Sequence, residues 1–495
     1  MEPRSELDLM ARLNRWNILN LFAWCLSASA GTLGCAATSR ASSSPPNIVI
    51  IFADDLGWGD LGSFGAKRIR TPNLDKLALQ GTRYTSFYVS QPVCSASRAS
   101  LLTGCYANRI GIHGALSPHS KTGLNERETT LAEMLRNRGY STAIYGKWHL
   151  GDAPQFLPQN HGFDEYMGLP YSNDMWPIHP TAKQGTYPPL PLIEGTNVVE
   201  LMPDQTQLTK RYTERAVEFI RENRAKPFFL YLAHSMPHAP LHASAKFKGR
   251  SRQGLYGDVI EEIDWSVGEV LRTLDQLQLA RNTWVIFTSD NGPWHSYGDH
   301  AGSAGPFREG KGSVFEGGVR VPCVMRWPGR IPSGRVSKEA AMTLDLFPTI
   351  ASKVGGTLPT LPIDGLDIWP LLAGVKGAHN PHSAYAFYYN HGELQAIRSG
   401  AWKLLLPHRA RGMQGQPGGQ GGTPKSYSQI DVGLELYNLE RDPGEKLNIA
   451  SRHPGRVQQL SLLVEQFRAD LGDSLTHRTG SGLRPPGRLE PSEPR

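Results

Sequence analysis

The stretch Asn47-Ile48-Val49-Ile50-Ile51-Phe52-Ala53-Asp54-Asp55 decides the fold. An unbroken apolar run rich in β-branched residues describes a strand buried on both faces, and it stops abruptly at two adjacent carboxylates. Outward from it the pattern repeats. Thr71-Pro72-Asn73 opens a helix with Leu74, Leu77 and Ala78 on one face, and Gly81 closes it. Residues 130–138, 212–223 and 258–277 carry the three- and four-residue apolar spacing of helices, whereas 141–145, 227–233 and 283–288 read as strands. Such alternation predicts an α/β fold: a large mixed, mostly parallel sheet flanked by helices on both faces.

After about residue 373 the character changes. Tyr385-Ala386-Phe387-Tyr388-Tyr389, 394–398 and 402–406 read as short strands between turns, and 456–471 as one amphipathic helix. The expectation is a catalytic domain over 45–372 and a smaller C-terminal antiparallel sheet plus helix over 373–473. Within the latter, 409–426 is rich in Gly, Gln and Pro and reads as a flexible loop. Residues 474–495 read as a disordered tail.

The chain has 495 residues, 39% of them hydrophobic and 20% charged, which is the composition of a globular enzyme. Its net charge of +7 comes in part from Arg478, Arg484, Arg488 and Arg495 and from the leader, so it names no partner by itself. No nucleic-acid partner and no transmembrane span are expected. Residues 1–40 read as an export leader, with an apolar core from Trp16 to Leu26 and small residues through Ala37, so the mature protein is expected to be periplasmic or secreted. The acidic Glu2, Glu6 and Asp8 are unusual for such a leader, and a start at Met10 suits it better. Thr32-Leu33-Gly34-Cys35 is similar to a lipoprotein cleavage box, so a lipid anchor at Cys35 stands beside ordinary cleavage near Ala36-Ala37. Two of the five cysteines lie in the leader; Cys94, Cys105 and Cys323 remain, and three cannot all pair within one chain.

Polar residues collect where predicted strands end, which is where open α/β sheets bind ligands. Asp54-Asp55 ends the first strand, and Asp290-Asn291-Gly292 ends the strand containing Trp284 to Phe287. Neighbours in a strand point to opposite faces, so each pair converges only if the backbone turns there, and Gly57 and Gly292 are placed to permit it. Four oxygen-bearing side chains suit a hard divalent cation, calcium or magnesium. Either pair alone is equally ordinary loop chemistry; both at equivalent strand ends favour metal. Gly146-Lys147-Trp148-His149 follows a third strand and His234-Ser235-Met236-Pro237-His238 a fourth, while Lys311 lies in a glycine-rich loop. Histidines exchange protons near neutral pH and lysines hold oxyanions. His113, His119, His161 and His300 read as structural hydrogen-bonders.

Pro92-Val93-Cys94-Ser95-Ala96-Ser97-Arg98-Ala99-Ser100-Leu101-Leu102-Thr103-Gly104 sets a cysteine among small hydroxylated residues. Together with "ADDLGWGDLG", "GKWHLG", "SDNG", "GKGSVFEGGVRVP" and "ELYNLERDPGE", it resembles the formylglycine-dependent sulfatase family of the alkaline phosphatase superfamily, from about Asn47 to Asn448. "GLPYSNDMWP" is similar to the arylsulfatase A subgroup in particular. Two departures stand out: Ala96 where proline is commoner, and Cys105 where an arginine usually closes the motif, which leaves a spare thiol expected next to the site.

The resemblance implies an alkaline phosphatase-like sheet and hydrolysis of sulfate monoesters of an aryl alcohol, a saccharide or a sulfolipid. It implies that a formylglycine-generating enzyme, a transient partner, oxidises Cys94 to an aldehyde. Asp54, Asp55, Asp290, Asn291 and converted Cys94 would hold the metal, most often calcium. Arg98 and Lys147 would stabilise the hydrated aldehyde, His149 would be the base, and Ser172, His238 and Lys311 would contact the sulfate. One hydroxyl of the hydrate would attack sulfur, and deprotonation of the other would expel sulfate. His238 or Lys311 would protonate the leaving oxygen. Two rival readings remain: a phosphodiester or phosphonate monoester hydrolase of the same superfamily, and a silent binder of sulfated glycans if Cys94 is never converted. Specificity is expected from 177–201, from 294–306 and from the C-terminal subdomain; Trp176, Trp294 and Tyr297 are candidates to stack on a sugar or an aryl ring, though such residues more often simply pack a loop.

Overall fold

A computed structural model describes residues 45–489. The leader, Cys35 and residues 490–495 lie outside the described residues.

The opening run forms the strand Asn47–Ala53, buried along its whole length. Its side chains alternate as the pleat requires: Ile48, Ile50 and Phe52 enter one core, while Val49 and Ile51 enter another on the opposite face. Each such side chain contributes roughly 1.5–3 kcal/mol by leaving water. The strand lies centrally in an eleven-stranded sheet. From one edge the order is Arg335–Ser337, Thr82–Tyr88, Arg320–Arg326, Thr283–Ser289, Asn47–Ala53, Phe228–Ala233, Ser141–Gly146 and Glu165–Gly168. The hairpin of Pro191–Glu194 and Asn197–Leu201 ends it. The five strands from Thr283–Ser289 to Glu165–Gly168 are parallel, and Arg320–Arg326 runs against both its neighbours.

Helices Pro72–Gln80, Leu208–Glu222 and Gly254–Gln276 cover one face, and Cys94–Thr103, Leu131–Arg136 and Leu346–Val354 the other. Thr130 starts one of them with a capping box, its hydroxyl accepting from Glu133 N while the Glu133 carboxylate accepts from Thr130 N. The parallel strands end level: Ala53 is opposite Ser289, and Gly146 opposite Ala233. All the loops that follow therefore emerge along one edge.

Beyond the sheet, Tyr385–Tyr389, Glu393–Ser399, Trp402–Leu405 and Glu435–Asn438 form an antiparallel sheet, against which Pro454–Leu471 sets Leu460, Val464 and Leu471. The C-terminal sheet shares one core with the Cys94 side of the large sheet, and a buried ion network ties them. Lys403 Nζ lies 2.9 Å from Glu316 Oε1 and 2.9 Å from Glu445 Oε1, and donates to Val314 O. Arg320 and the Tyr88 hydroxyl also meet Glu316. Burial would raise the Glu316 carboxyl, but Lys403 and Arg320 hold it down to about 2. The glycine-rich "GKGSVFEGG" and the distant "DPGE" are thus two halves of one electrostatic joint.

Two sequence expectations need correction. The segment 409–426 is no free loop: His408–Gly412 pairs with Ser428–Val432, and the turn between them donates Gly419 N and Lys425 N to Ser296 O. Its glycines serve close approach to 295–299, which composition alone cannot distinguish from mobility. Residues 474–489 are likewise ordered. Gly487–Arg488 pairs with Thr122–Gly123, and Arg484 makes a bidentate pair with Glu128 at 2.6 and 2.8 Å. Arg484→Ala leaves the buried Glu128 without its partner; the expected cost is ~1–3 kcal/mol, read as a lower denaturant midpoint.

Candidate active site

Four parallel strand ends deliver the polar residues. The chain turns at Asp55, which itself takes the left-handed conformation at φ 66°. Gly57 and Gly292 serve differently from the sequence expectation: a side-chain carbon on Gly57 would strike Ser303 O, and one on Gly292 would strike Gly317 O. The turn at Asp55 lets both carboxylates face one centre. Asp55 N donates to Asp290 Oδ1 at 3.0 Å, and Asn291 Nδ2 donates to Asp55 Oδ1 at 2.7 Å.

Cations surround these acids. Lys147 Nζ lies 2.6 Å from Asp54 Oδ2 and 3.1 Å from Ser172 Oγ. Arg98 reaches Asp290 Oδ2 at 2.9 Å and Lys147 O at 3.0 Å. Lys311 Nζ sits 2.8 Å from Asp55 Oδ1. His238 Nδ1 donates to Ala239 O at 2.6 Å, which leaves the Nε2 lone pair 3.4 Å from Ser172 Oγ and 3.6 Å from Asp55 Oδ2. Asp54, Asp55, Ser172, His238, Asp290, Asn291 and Lys311 are all at most 5% exposed.

Cys94 opens the helix Cys94–Thr103 and is 2% exposed. Burial pushes its thiol above the ordinary value, and Lys147 and Lys311 offset this only in part, so it does not stand as a thiolate. Cys94, Cys105 and Cys323 are all free. Cys105 is not beside the site: it follows the far end of the ten-residue helix, ~15 Å away by helical rise. There burial pushes its thiol up to about 12, and it lies 3.3 Å from the Arg484 guanidinium.

His149 Nε2 lies 2.9 Å from Leu116 O, so Nε2 carries the proton and Nδ1 keeps a lone pair that is buried without a partner. Burial, then the charges of Lys147 and Arg98, hold it well below its usual value, so it is a neutral base. Burial and Lys311 push His238 down to about 3. Burial would lower Lys311, yet Asp55 and its neighbours hold it above the ordinary lysine value. Of the two donors expected for a leaving oxygen, Lys311 is the one already protonated.

The residues fit a divalent cation. Asp54 Oδ1 and Asn291 Oδ1 are buried with no hydrogen-bond partner. Ligand atoms of Asp54, Asp55 and His238 lie within 4.8 Å of one another, which adds an imidazole to the oxygen set read from sequence. Burial and the Asp54 charge raise Asp290 to about 7, the mark of carboxylates packed tightly enough to call for a cation.

Sequence reasoning undervalued two residues. Trp294 covers the site: its ring lies 5.0 Å from His238 and 4.2 Å from Lys311 Nζ. Asp174 is buried, and burial raises its carboxyl while Lys311 and Lys147 offset this; its place two residues after Ser172 was the available signal. Trp176 packs against His242 at 5.8 Å, as a loop aromatic ordinarily does.

The family model described as Sulfatase matches residues 46–356, and that described as the C-terminal region of aryl-sulfatase matches 380–482. Arylsulfatase A of Bos taurus is 40% identical over 468 residues, covering 88% of this chain and 91% of its own. N-acetylgalactosamine-6-sulfatase of Canis lupus familiaris is 37% identical over 497 residues, covering 93% and 91%. Among solved structures, the PsFucS1 sulfatase of Pseudoalteromonas sp. superposes with a TM-score of 0.77 at 28% identity, covering 86% of this chain and 90% of that one.

Proposed function

The chain belongs to the sulfatase family and is a sulfuric ester hydrolase, and from that premise we propose that Cys94 acts as formylglycine beside a calcium or magnesium ion. Asp54, Asp55, Asp290 and Asn291 would hold the ion, which supplies a Lewis acid for the sulfate oxygens and the nucleophile. Converted Cys94 supplies a hydrated aldehyde, with two hydroxyls on one carbon. The observation that carries the reading is the pair of orphaned, buried ligand oxygens on Asp54 and Asn291, set among Lys147, Lys311 and Arg98.

The chain's own groups divide the work. Ser172, His238 and Lys311 would bind and orient the sulfate, replacing water with fixed donors, while Arg98 and Lys147 would stabilise the hydrated aldehyde. Lys311 Nζ would give its proton to the alcohol oxygen as the ester's sulfur–oxygen bond breaks and one hydroxyl oxygen of converted residue 94 takes its place on sulfur; His149 Nδ1 would accept the proton of the other hydroxyl, whose oxygen re-forms the aldehyde as inorganic sulfate leaves. Trp294 excludes water above them. The substrate is a sulfate monoester of an aryl alcohol, saccharide or lipid. Before folding is complete, Cys94 would be a substrate for a formylglycine-generating enzyme, and export would follow from the leader.

Chelation tests the cation. Dialysis against EGTA is expected to lower turnover of 4-nitrophenyl sulfate by ~10²-fold or more, with calcium restoring it. Full turnover by protein shown to be metal-free would overturn the reading. Faster hydrolysis of bis(4-nitrophenyl) phosphate than of the aryl sulfate would favour the phosphodiesterase alternative.

A further inference from the structure

The C-terminal ribbon places beside the Lys311 loop a charged side chain to which the reaction assigns no role. Arg411 lies in the strand His408–Gly412, and its guanidinium packs flat on Gly312, where a side-chain carbon would collide with it. Gly312 follows Lys311 in the chain, and its N–H donates to Pro92 O at 2.9 Å, two residues before Cys94. The Arg411 guanidinium is stacked 5.0 Å from the Tyr427 ring and 5.9 Å from the Tyr389 ring. Its Nε is buried with no hydrogen-bond partner.

A half-buried guanidinium ordinarily takes a carboxylate, because desolvation of an unpaired charge is costly. Arg411 has no ion pair among the described residues. Glu309 lies against Gly412 and its carboxylate is engaged by Met413 N at 2.7 Å and Gln414 N at 2.9 Å. Gly412 faces away from Arg411, since neighbours in a strand alternate. Two aromatic rings and a glycine thus hold a guanidinium in a fixed plane and leave its charge unspent, a geometry suited to a planar or tetrahedral anion.

We propose that Arg411 forms a second anion subsite, which binds a further sulfate or carboxylate group of a polyanionic saccharide whose scissile sulfate lies at Lys311. Bond geometry keeps the guanidinium within ~15 Å of Lys311 Nζ, a reach that one or two sugar rings span. The inference rests on the sulfate-binding role proposed above for Lys311, and it adds a preference for substrates bearing two or more anionic groups.

The test uses turnover of 4-nitrophenyl sulfate, which carries a single anionic group, with heparin-derived disaccharides as competitors. A trisulfated disaccharide is expected to inhibit the native enzyme at about tenfold lower concentration than its monosulfated counterpart, as one charge-assisted contact would give. In Arg411→Ala and Arg411→Gln that advantage disappears, while kcat and KM for the aryl sulfate stay as in the native enzyme. Equal inhibition by both competitors in the native enzyme, or an advantage retained in both variants, overturns the proposal. A parallel fall in aryl sulfate turnover and thermal midpoint in both variants also overturns it, because it assigns Arg411 to the fold. Absence of aryl sulfate turnover in the native enzyme strikes instead at the parent reading.

Discussion

Cys94→Ala is expected to lose at least ~10³-fold in kcat for sulfate ester hydrolysis, with little change in thermal midpoint. The side chain is small and buried at a helix start, so the fold tolerates the change, whereas the reaction proposed above would lose its nucleophile. Cys105→Ala is the matched control. Its thiol lies at the other end of the same helix, held against Arg484 and Thr103, and the variant is expected to keep near-native turnover. Peptide mass spectrometry of active native protein should find residue 94 as the aldehyde or its hydrate. Undiminished turnover by Cys94→Ala, or an unmodified thiol in fully active protein, would sink the assignment.

Lys403→Met is expected to have the largest effect on stability. Lys403 Nζ is the common counterion of Glu316 and Glu445, and all three side chains are fully buried. Truncating Lys403 leaves Glu445 in the core with no paired cation among the described residues and Glu316 with Arg320 alone, at a cost of about 3–5 kcal/mol. Denaturant unfolding should show a lower midpoint. The triple change Lys403→Met, Glu316→Gln, Glu445→Gln should recover part of the loss, because it removes the orphaned charges as well. A single variant as stable as the native protein would mean that the joint between the two sheets is held by packing alone.

Much of this architecture was legible in sequence because it rests on local pattern. The run from Ile48 to Ala53 is apolar at every position and reads as a strand buried on both faces, and the pair after it announced where the sheet ends. Asp54, Asp55, Asp290, Asn291, Lys147, Ser172, His238 and Lys311 do converge, since level strand ends bring their loops to one edge. What escaped was long-range. Thr82–Tyr88 and Arg320–Arg326 pair across more than two hundred residues, and nothing local says that Arg320–Arg326 runs antiparallel in an otherwise parallel region. Trp294 looked like any loop aromatic until the fold laid it over His238. The glycine-rich ribbon and the arginine-rich tail looked mobile because composition registers polarity but not partners such as Ser296 and Glu128. The turn was assigned to glycines, yet Asp55 makes it, as a side chain held by Asn291 and Lys311 can.

The burial of Cys94 also sets an order in time. Residue 94 is sealed inside the closed fold, so any second protein that oxidises it must arrive while the chain is still open. The segment bearing Arg484 docks at the distal end of the Cys94–Thr103 helix, beside Cys105 and Glu128. That contact spans 379 residues of sequence, so closure at this end of the helix waits on long-range docking, and the proposed oxidation of residue 94 would belong to the time before it.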